Sequence, residues 1–113
     1  MMAEILKDDI DYDGYSMSLV AASAEDTFKN NFKNLVLIFK NTDTSSHDVT
    51  LVAQNPCNQD VLHDKIITVG ASSTVIVSDI DNSIFNDDNG MVHMTYDGNE
   101  GMFEVGVARV HSD

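Results

Sequence analysis

The chain of 113 residues carries nineteen acidic against six basic residues, which gives a formal net charge of −13 at pH 7. This length is typical of one self-folding domain with one core, and the hydrophobic content of 42% is typical of globular rather than disordered proteins. The charge argues against a surface that neutralises phosphates, so we expect neither nucleic acid nor an anionic membrane as a partner.

The N-terminal part of the chain is acidic, and we interpret residues 1–14 as an arm or loop before a single domain over 15–113. The start, Met1 to Asp13, lacks the basic end and apolar centre of a signal peptide, so we expect a protein made in, and released from, a cytoplasm. Cys57 is the only cysteine, which leaves no intramolecular disulfide. Its simplest role is that of a small buried or half-buried residue.

Two segments precede the first strongly apolar run. The residues from Tyr15 to Ala22 alternate loosely between apolar and polar and predict a first strand. The residues from Ala24 to Lys33 begin like a helix, but Asn30 and Asn31 weaken that pattern, so a helical turn and a loop are both open.

The apolar run from Leu35 to Phe39 predicts a central strand that is buried on both faces, since it is too short for a bilayer span of about 20 residues. Lys33 and Lys40 flank it, and charges at such positions protect an aggregation-prone apolar strand from pairing with copies of itself. Together with Lys29, they are also our candidates for contact with a partner, because Phe28 and Phe32 lie close by in the sequence.

Further strands follow with clear turn signals between them. Val49 to Gln54 predicts a strand that pairs antiparallel with the Leu35 strand, and the stretch from Asn55 to Gln59 contains Pro56 and predicts a change of direction. Lys65 to Val69 and Thr74 to Ser78 predict two strands joined as a hairpin through small residues.

The last third of the chain predicts a plug and a final hairpin. In the polar stretch from Asp79 to Asn89, three apolar residues predict a loop plug or a single helical turn. Met91 to Tyr96 and the alternating residues after Phe103 predict two strands joined as a hairpin through a Gly-rich turn. We therefore predict an all-β single domain of about seven or eight short strands, either an antiparallel β-sandwich or a jelly-roll-like barrel.

Two groups of carboxylates are candidate metal sites. Asp9, Asp11, Asp13 and Gly14 match the first half of a calcium loop, but the twelfth position holds Val20 instead of a bidentate Glu, so an acidic solvated arm is the favoured interpretation. A second group in a loop rich in Asn is better explained by turn chemistry than by an oxygen-only metal site. Its members are Asp79, Asp81, Asp87 and Asp88.

No residue pattern indicates catalysis, so we expect a protein that is not an enzyme and needs no cofactor. The four histidines are scattered, without a pair at zinc-site spacing, and His93 falls on the polar face of its strand, where it is most simply solvent-facing. Nothing around Cys57 resembles a nucleophile motif. The histidines are His47, His63, His93 and His111.

Two stretches resemble a known family of proteins. They run from Val69 through Gly70, Ala71, Ser72, Ser73, Thr74, Val75 to Ile76, and from Ile84 through Phe85, Asn86, Asp87, Asp88, Asn89, Gly90, Met91 to Val92. The chain is similar here to the small β-sandwich capsid decoration or cement proteins encoded beside the major capsid gene of many tailed bacteriophages. Those proteins have the same order of strand, small-residue turn, strand and aromatic-Asn-Asp-x-x-Gly turn, and then a strand that ends in Thr-Tyr, here Thr95 and Tyr96. The resemblance covers roughly residues 35 to 110.

The resemblance implies a non-enzymatic virion structural protein that binds the phage major capsid protein on the outer capsid surface and stabilises the shell. Docking as a homo-oligomer, with a trimer as the guess, and docking through the acidic arm are both open. The alternative from another class is a β-sandwich module that holds calcium or carbohydrate through its Asp-rich loops. The absence of Trp makes a carbohydrate platform the weaker form of that alternative.

Overall fold

The computed structural model of the chain describes residues 2–5, 7–10, 19–30, 35–55, 63–78, 80–97 and 102–110. Ten strands and one short helix lie in these ranges. They are β1 (Met2–Glu4), β2 (Lys7–Ile10), β3 (Val20–Ala21), β4 (Glu25–Lys29), β5 (Leu35–Asn41), β6 (His47–Val52), β7 (Lys65–Val69), β8 (Thr74–Ser78), α1 (Asn82–Phe85), β9 (Met91–Tyr96) and β10 (Phe103–Val110).

The strands form two sheets. The first sheet has the order β1-β4-β9-β6-β7, and the second has the order β2-β10-β5-β8, with β3 also paired to β10. The pairs β1 with β4 and β2 with β10 are parallel, and all the others are antiparallel. The predicted β-sandwich is confirmed.

The core lies between the two sheets and is filled by alternate residues of each strand, because successive side chains of a strand point to opposite faces. β5 and β10 contribute most from the second sheet, and β4, β6 and β9 face them from the first. The largest fully buried side chains include Phe28, Phe39, Phe103, Leu37, Leu51 and Met94. The predicted central strand therefore occupies an interior position of its sheet, between β10 and β8.

Three predicted pairings are wrong. β5 and β6, β7 and β8, and β9 and β10 were each predicted to pair as neighbours, yet in every case one strand belongs to the second sheet and the other to the first. The turn residues between them do reverse the chain, but the reversal carries it across the core instead of along the sheet. Local turn chemistry specifies a reversal and not its plane, so the error has one cause in all three places.

Two short segments also differ from the sequence-based expectation. Within residues 1–14, Met2–Glu4 and Lys7–Ile10 are strands rather than an arm or loop, because each adds in parallel to the backbone groups of a neighbouring strand, β4 and β10 respectively. The segment with a helix-like start is the strand Glu25–Lys29, which pairs antiparallel with β9 along its whole length. Asp26, Thr27 and Phe28 are all buried, so the middle of this strand is covered on both of its faces.

Several other predicted elements agree with the structure, whereas the predicted strand Val49 to Gln54 is His47–Val52, and of Tyr15 to Ala22 only Val20–Ala21 is a strand among the described residues. Lys65–Val69, Thr74–Ser78 and Met91–Tyr96 have the predicted bounds, and the single helical turn lies within the predicted plug. Ile80, which precedes that turn, and Phe85, which ends it, pack against the core as expected. Among the described residues, no helix is long and apolar enough to cross a membrane.

Candidate functional site

Three of the connections that cross between the sheets, those after β5, β7 and β9, meet at one end of the sandwich, which we call the crossover end. It is formed by the described residues of 42–46, 70–73 and 97–102. The Thr42 amide and hydroxyl both donate to the Met102 carbonyl oxygen, at 2.8 and 2.9 Å, and the Ser72 amide donates to the Asp43 carbonyl oxygen at 3.1 Å. Backbone hydrogen bonds thus link the first connection to each of the other two.

Asn41 anchors this end from inside. Its side chain is fully buried, and its Nδ2 lies 2.8 Å from the Ser45 carbonyl oxygen, 3.1 Å from that of Val69 and 3.2 Å from that of Gly70. Its Oδ1 accepts from the Asp43 amide at 2.9 Å. One buried amide therefore binds the end of β5 to its own turn and to the turn between β7 and β8.

His47 lies between two carboxylates at the same end, and Asp43, His47 and Asp97 together are named the His47 cluster. Nε2 is 2.6 Å from Asp43 Oδ2, and Nδ1 is 3.0 Å from Asp97 Oδ1. The ring also meets Phe103 edge-on, with centroids 6.2 Å apart. The hydrogen bond with Asp43 raises the pKa of His47 above its usual value and lowers the pKa of Asp43.

A second histidine has a similar environment on the outer face of the first sheet, and Glu25, Asp87 and His93 are named the His93 cluster. His93 Nε2 is 2.8 Å from Asp87 Oδ2, and Nδ1 is 3.6 Å from Glu25 Oε1. The hydrogen bond with Asp87 raises the pKa of His93 and lowers that of Asp87. His93 lies on the outer face as expected, but the turn before β9 also holds it with a carboxylate.

These contacts limit what the two histidines can do chemically. Only the doubly protonated ring donates from both nitrogens, and such a ring has no free lone pair with which to act as a base, a nucleophile or a metal ligand. When it is protonated, His47, with a carboxylate at each nitrogen, is in that condition. It joins the turn after β5 to the strands β6 and β9 of the other sheet.

Sequence reasoning missed both clusters. Asp43 and His47 are four residues apart, and each histidine follows an Asp-containing turn, which is a weak local signal. Their other partners, Asp97 and Glu25, lie 50 and 68 positions away along the chain, where no spacing rule points to them.

A buried carboxylate lies in the first sheet. Asp26 has no exposed surface, and its Oδ2 accepts from the Tyr96 hydroxyl at 2.7 Å and from the Ser23 amide at 3.1 Å, while Oδ1 has no partner among the described residues. Burial and the hydrogen bond to Asp26 both raise the pKa of Tyr96 above its ordinary value. Tyr96 therefore stays protonated and keeps its role as a donor.

The second group of carboxylates mostly has the roles that turn chemistry predicts. Asp81 caps α1 by accepting from the Ser83 amide and hydroxyl, at 2.9 and 2.6 Å, and the bond to the Ser83 hydroxyl lowers the pKa of Asp81. Asp87 Oδ1 accepts from the amides of Asn89 and Met91, at 2.8 and 3.0 Å. Asp88 is exposed, and Asp79 lies outside the described residues.

A pair of asparagines holds the turn that contains α1 against the end of β4. Asn30 Nδ2 donates to Asn86 Oδ1 at 2.9 Å, and Asn86 Nδ2 donates to the Asn30 carbonyl oxygen at 3.2 Å. Asn30 Nδ2 also donates to the Ile80 carbonyl oxygen at 3.2 Å. The two asparagines that weakened a helix in the sequence thus include one, Asn30, with a structural role in a β protein.

The lysines predicted as partner contacts are not brought together. Because Phe28 and Phe39 point into the core, Lys29 and Lys40 point outward from the first and the second sheet respectively, and both are exposed. Phe28 is fully buried and forms no surface patch with them. Lys33 lies outside the described residues.

Only some of the remaining candidate site residues lie among the described residues. Asp9 belongs to β2, opposite Arg109, while Asp11 and Asp13, the other members of the calcium motif, lie outside the described residues. Cys57 and His111 also lie outside them, and His63 is exposed.

Among the described residues, no group of three or more His, Cys, Asp or Glu side chains is placed to hold a metal ion. Comparison with protein-family models, with curated proteins and with solved structures finds no match for this chain. Most of the polar side chains described above bind one another or the backbone. The outer surfaces and edges of the sandwich are therefore the candidate sites for contact with a partner.

Proposed function

We propose that the chain is a non-enzymatic structural protein of a phage virion, which binds the outer surface of an assembled capsid and stabilises the shell. The observation that carries this proposal is the resemblance of residues 69–76 and 84–92 to capsid decoration proteins. In the fold these residues are the last residue of β7, the first three of β8, the last two of α1 and the first two of β9, with the connections 70–73 and 86–90. The resemblance therefore follows successive structural elements rather than scattered positions.

Charge supports an exterior location. A net charge of −13 is unfavourable beside packaged DNA, whereas on the outside of the shell it repels only other acidic surfaces. Many copies on one shell add small contacts between neighbouring capsid subunits, and such contacts are reinforced by multivalency. We therefore infer that the partner surface on the capsid is basic or neutral.

The direct test uses capsids of the encoding phage from which this protein has been deleted. Purified protein is added, and co-sedimentation and capsid melting are measured as a function of its concentration. We expect saturable binding to assembled capsids and a higher capsid melting temperature, with no binding to unassembled capsid protein. Capsids that bind none of the protein and melt unchanged would refute the proposal.

The two exposed lysines provide a matched pair of variants. Because Lys29 and Lys40 lie on outer faces of different sheets, a chain that docks through one face brings only one of them against the capsid. On a basic capsid surface, reversing the charge at the docked face by Lys29→Glu or Lys40→Glu should strengthen binding about tenfold, and the other variant should bind normally. Equal effects of both variants would exclude docking through a single sheet face.

Calcium separates this proposal from a ligand-binding module. A ligand bound only by the folded chain raises its melting temperature, so a module that holds calcium melts several degrees higher in millimolar calcium. We expect the melting temperature of the isolated chain to be the same in calcium and in a chelator. A large shift would favour the calcium module.

A further inference from the structure

The free edge of β8 is exposed and apolar. β8 is the last strand of the second sheet and pairs only with β5 among the described strands. Ile76 at its centre is 67% exposed, and Thr74 and Ser78 on either side are also exposed. An edge of this kind is a template for pairing with another strand.

The ladder with β5 fixes which backbone groups of β8 are free. The Asn41 amide donates to the Ser73 carbonyl oxygen at 2.9 Å, which makes these two residues a hydrogen-bonded pair at the end of the ladder. In an antiparallel ladder such pairs alternate with pairs that exchange no bond. The residues two and four positions further, Val75 and Val77, therefore bond to β5. The backbone groups of residues 74, 76 and 78 point away from the sheet.

The other described edges are guarded by charge or are very short. At the edges of the first sheet, β1 contains Glu4 and β7 begins with Lys65. On the far side of the second sheet, β2 has the sequence KDDI, and β3 has only two residues. β8, with the sequence TVIVS, contains no charge, no proline and no glycine. Charged side chains are the usual protection of an edge, and this edge lacks them.

We propose that β8 is a self-association interface, at which two copies of the chain pair their β8 strands antiparallel about a two-fold axis beside Ile76. In this register Ile76 lies opposite Ile76 of the second copy, and Thr74 lies opposite Ser78 in both directions. The outward backbone groups of these residues meet as three hydrogen-bonded pairs of two bonds each, about six bonds in all. The two second sheets then form one continuous sheet.

A second copy fits this edge better than an unrelated strand for two reasons. Because each copy carries a net charge of −13, repulsion between two copies is weakest where the paired strands contain no carboxylate. β8 is such a strand. The sequence is also nearly palindromic about Ile76, with Val75 and Val77 on either side and a hydroxyl residue at each end. One two-fold contact uses both β8 edges, so association closes at two copies.

The interface is short, so the dimer is weak. Five residues give about 17 Å of shared edge, so the buried area is well below the roughly 1,600 Å² of a standard protein interface. The like net charges of the two copies also oppose association. Salt screens that repulsion, so dimerisation should become stronger between about 0.05 and 0.5 M NaCl. This inference does not depend on the proposed capsid function.

Sedimentation equilibrium of the full chain, at about 10 µM to 1 mM protein and at both salt concentrations, tests the proposal. We expect a monomer–dimer equilibrium that shifts toward dimer at high salt. Ile76→Lys should weaken dimerisation at least tenfold without changing the melting temperature, because the side chain is exposed. Ile66→Lys is the matched control, since Ile66 is 59% exposed on the edge strand β7 of the other sheet. The chain with Ile66→Lys should dimerise as the wild type does.

A covalent trap identifies the register independently. In a Cys57→Ser background, Ile76→Cys places two thiols across the two-fold axis at a backbone separation of about 5.5 Å, which a disulfide can span. We expect mild oxidation to yield a disulfide-linked dimer from Ile76→Cys and almost none from Ile66→Cys. A chain that is monomeric at all concentrations overturns the proposal, as does a dimer that survives Ile76→Lys. Capsid binding lost with Ile76→Lys in a monomeric chain would assign the edge to a capsid strand instead.

Discussion

Replacement of Asn41 by Asp is the sharpest test of how the crossover end is held together. The two side chains have the same shape, but the carboxylate replaces the Nδ2 donor with an oxygen. In the wild-type protein that nitrogen lies 2.8 to 3.2 Å from three carbonyl oxygens. Asn41→Asp therefore turns three attractive contacts into three repulsive ones inside a fully buried site.

The expected magnitude follows from the exposure of each bond. The bond to the Val69 carbonyl oxygen is fully buried, whereas the bonds to Ser45 and Gly70 are partly exposed, so water replaces them in part. At about 1 to 3 kcal/mol for a buried acceptor left without a partner, Asn41→Ala should lower the free energy of unfolding by about 3 kcal/mol. Asn41→Asp also buries a charge and should cost about 4 kcal/mol or more at pH 7.

Thermal and urea unfolding measure these differences. With about 4 °C per kcal/mol for a chain of this size, the melting temperature should fall by about 12 °C for Asn41→Ala and about 16 °C for Asn41→Asp. Asn82→Asp makes the same chemical change at an exposed residue of α1 and should stay within about 0.5 kcal/mol of the wild type. A chain with Asn41→Asp that is more stable at pH 7 than one with Asn41→Ala would refute the role of Nδ2 as a shared donor.

Two further predictions concern the titratable groups. Because the histidines of both clusters have raised pKa values, their stabilisation is present below about pH 6.5 and is lost as the pH rises through the folded values. Asp43 and Asp87 have lowered pKa values, and the stabilisation that they contribute is lost as the pH falls below about 4. Melting temperatures should therefore be highest between these limits, and His47→Gln with His93→Gln should flatten the alkaline fall, which the exposed-site control His63→Gln should preserve. Tyr96→Phe removes the hydroxyl bond to Asp26 and should cost about 2 kcal/mol in urea unfolding. In an Asp26→Asn background the same change should cost less, because a neutral acceptor bonds more weakly, and an equal cost in both backgrounds would show that the carboxylate charge contributes nothing to this bond.

The positions of the strands could be predicted from the sequence because a strand is a local pattern. The apolar run of β5 and the alternation of β9 each lie within a few residues, and the structure has a strand at both places. The short β4 was missed because Ser23, Glu25 and Asp26 are typical of a helix start. This segment is a strand because it pairs with β9, which is far away in the sequence.

The partners of the strands could not be predicted in this way. A turn such as Gly70 to Ser73 is closed by its own hydrogen bond, from the Ser73 amide to the Gly70 carbonyl oxygen, whether the chain returns in the same sheet or in the facing one. Whether β8 lies in the same sheet as β7 or in the facing one depends on which strands pair with β7. Its partner is β6, which a long connection separates from it in the sequence. The same limit applies to the two histidine clusters, because each is completed by a carboxylate far away in the sequence.

The arrangement of the second sheet changes the meaning of the lysines beside β5. An interior strand has β10 and β8 along both of its edges, so in the folded chain Lys40 guards no open edge. The open edge belongs to β8, which directs an exposed Ile76 and no charge toward solvent. A chain with a charge of −13 has many carboxylates with which to protect an edge, and the absence of any in this strand is therefore informative. Selection against self-pairing would place a charge there, so an unprotected β8 favours an edge that is used in association.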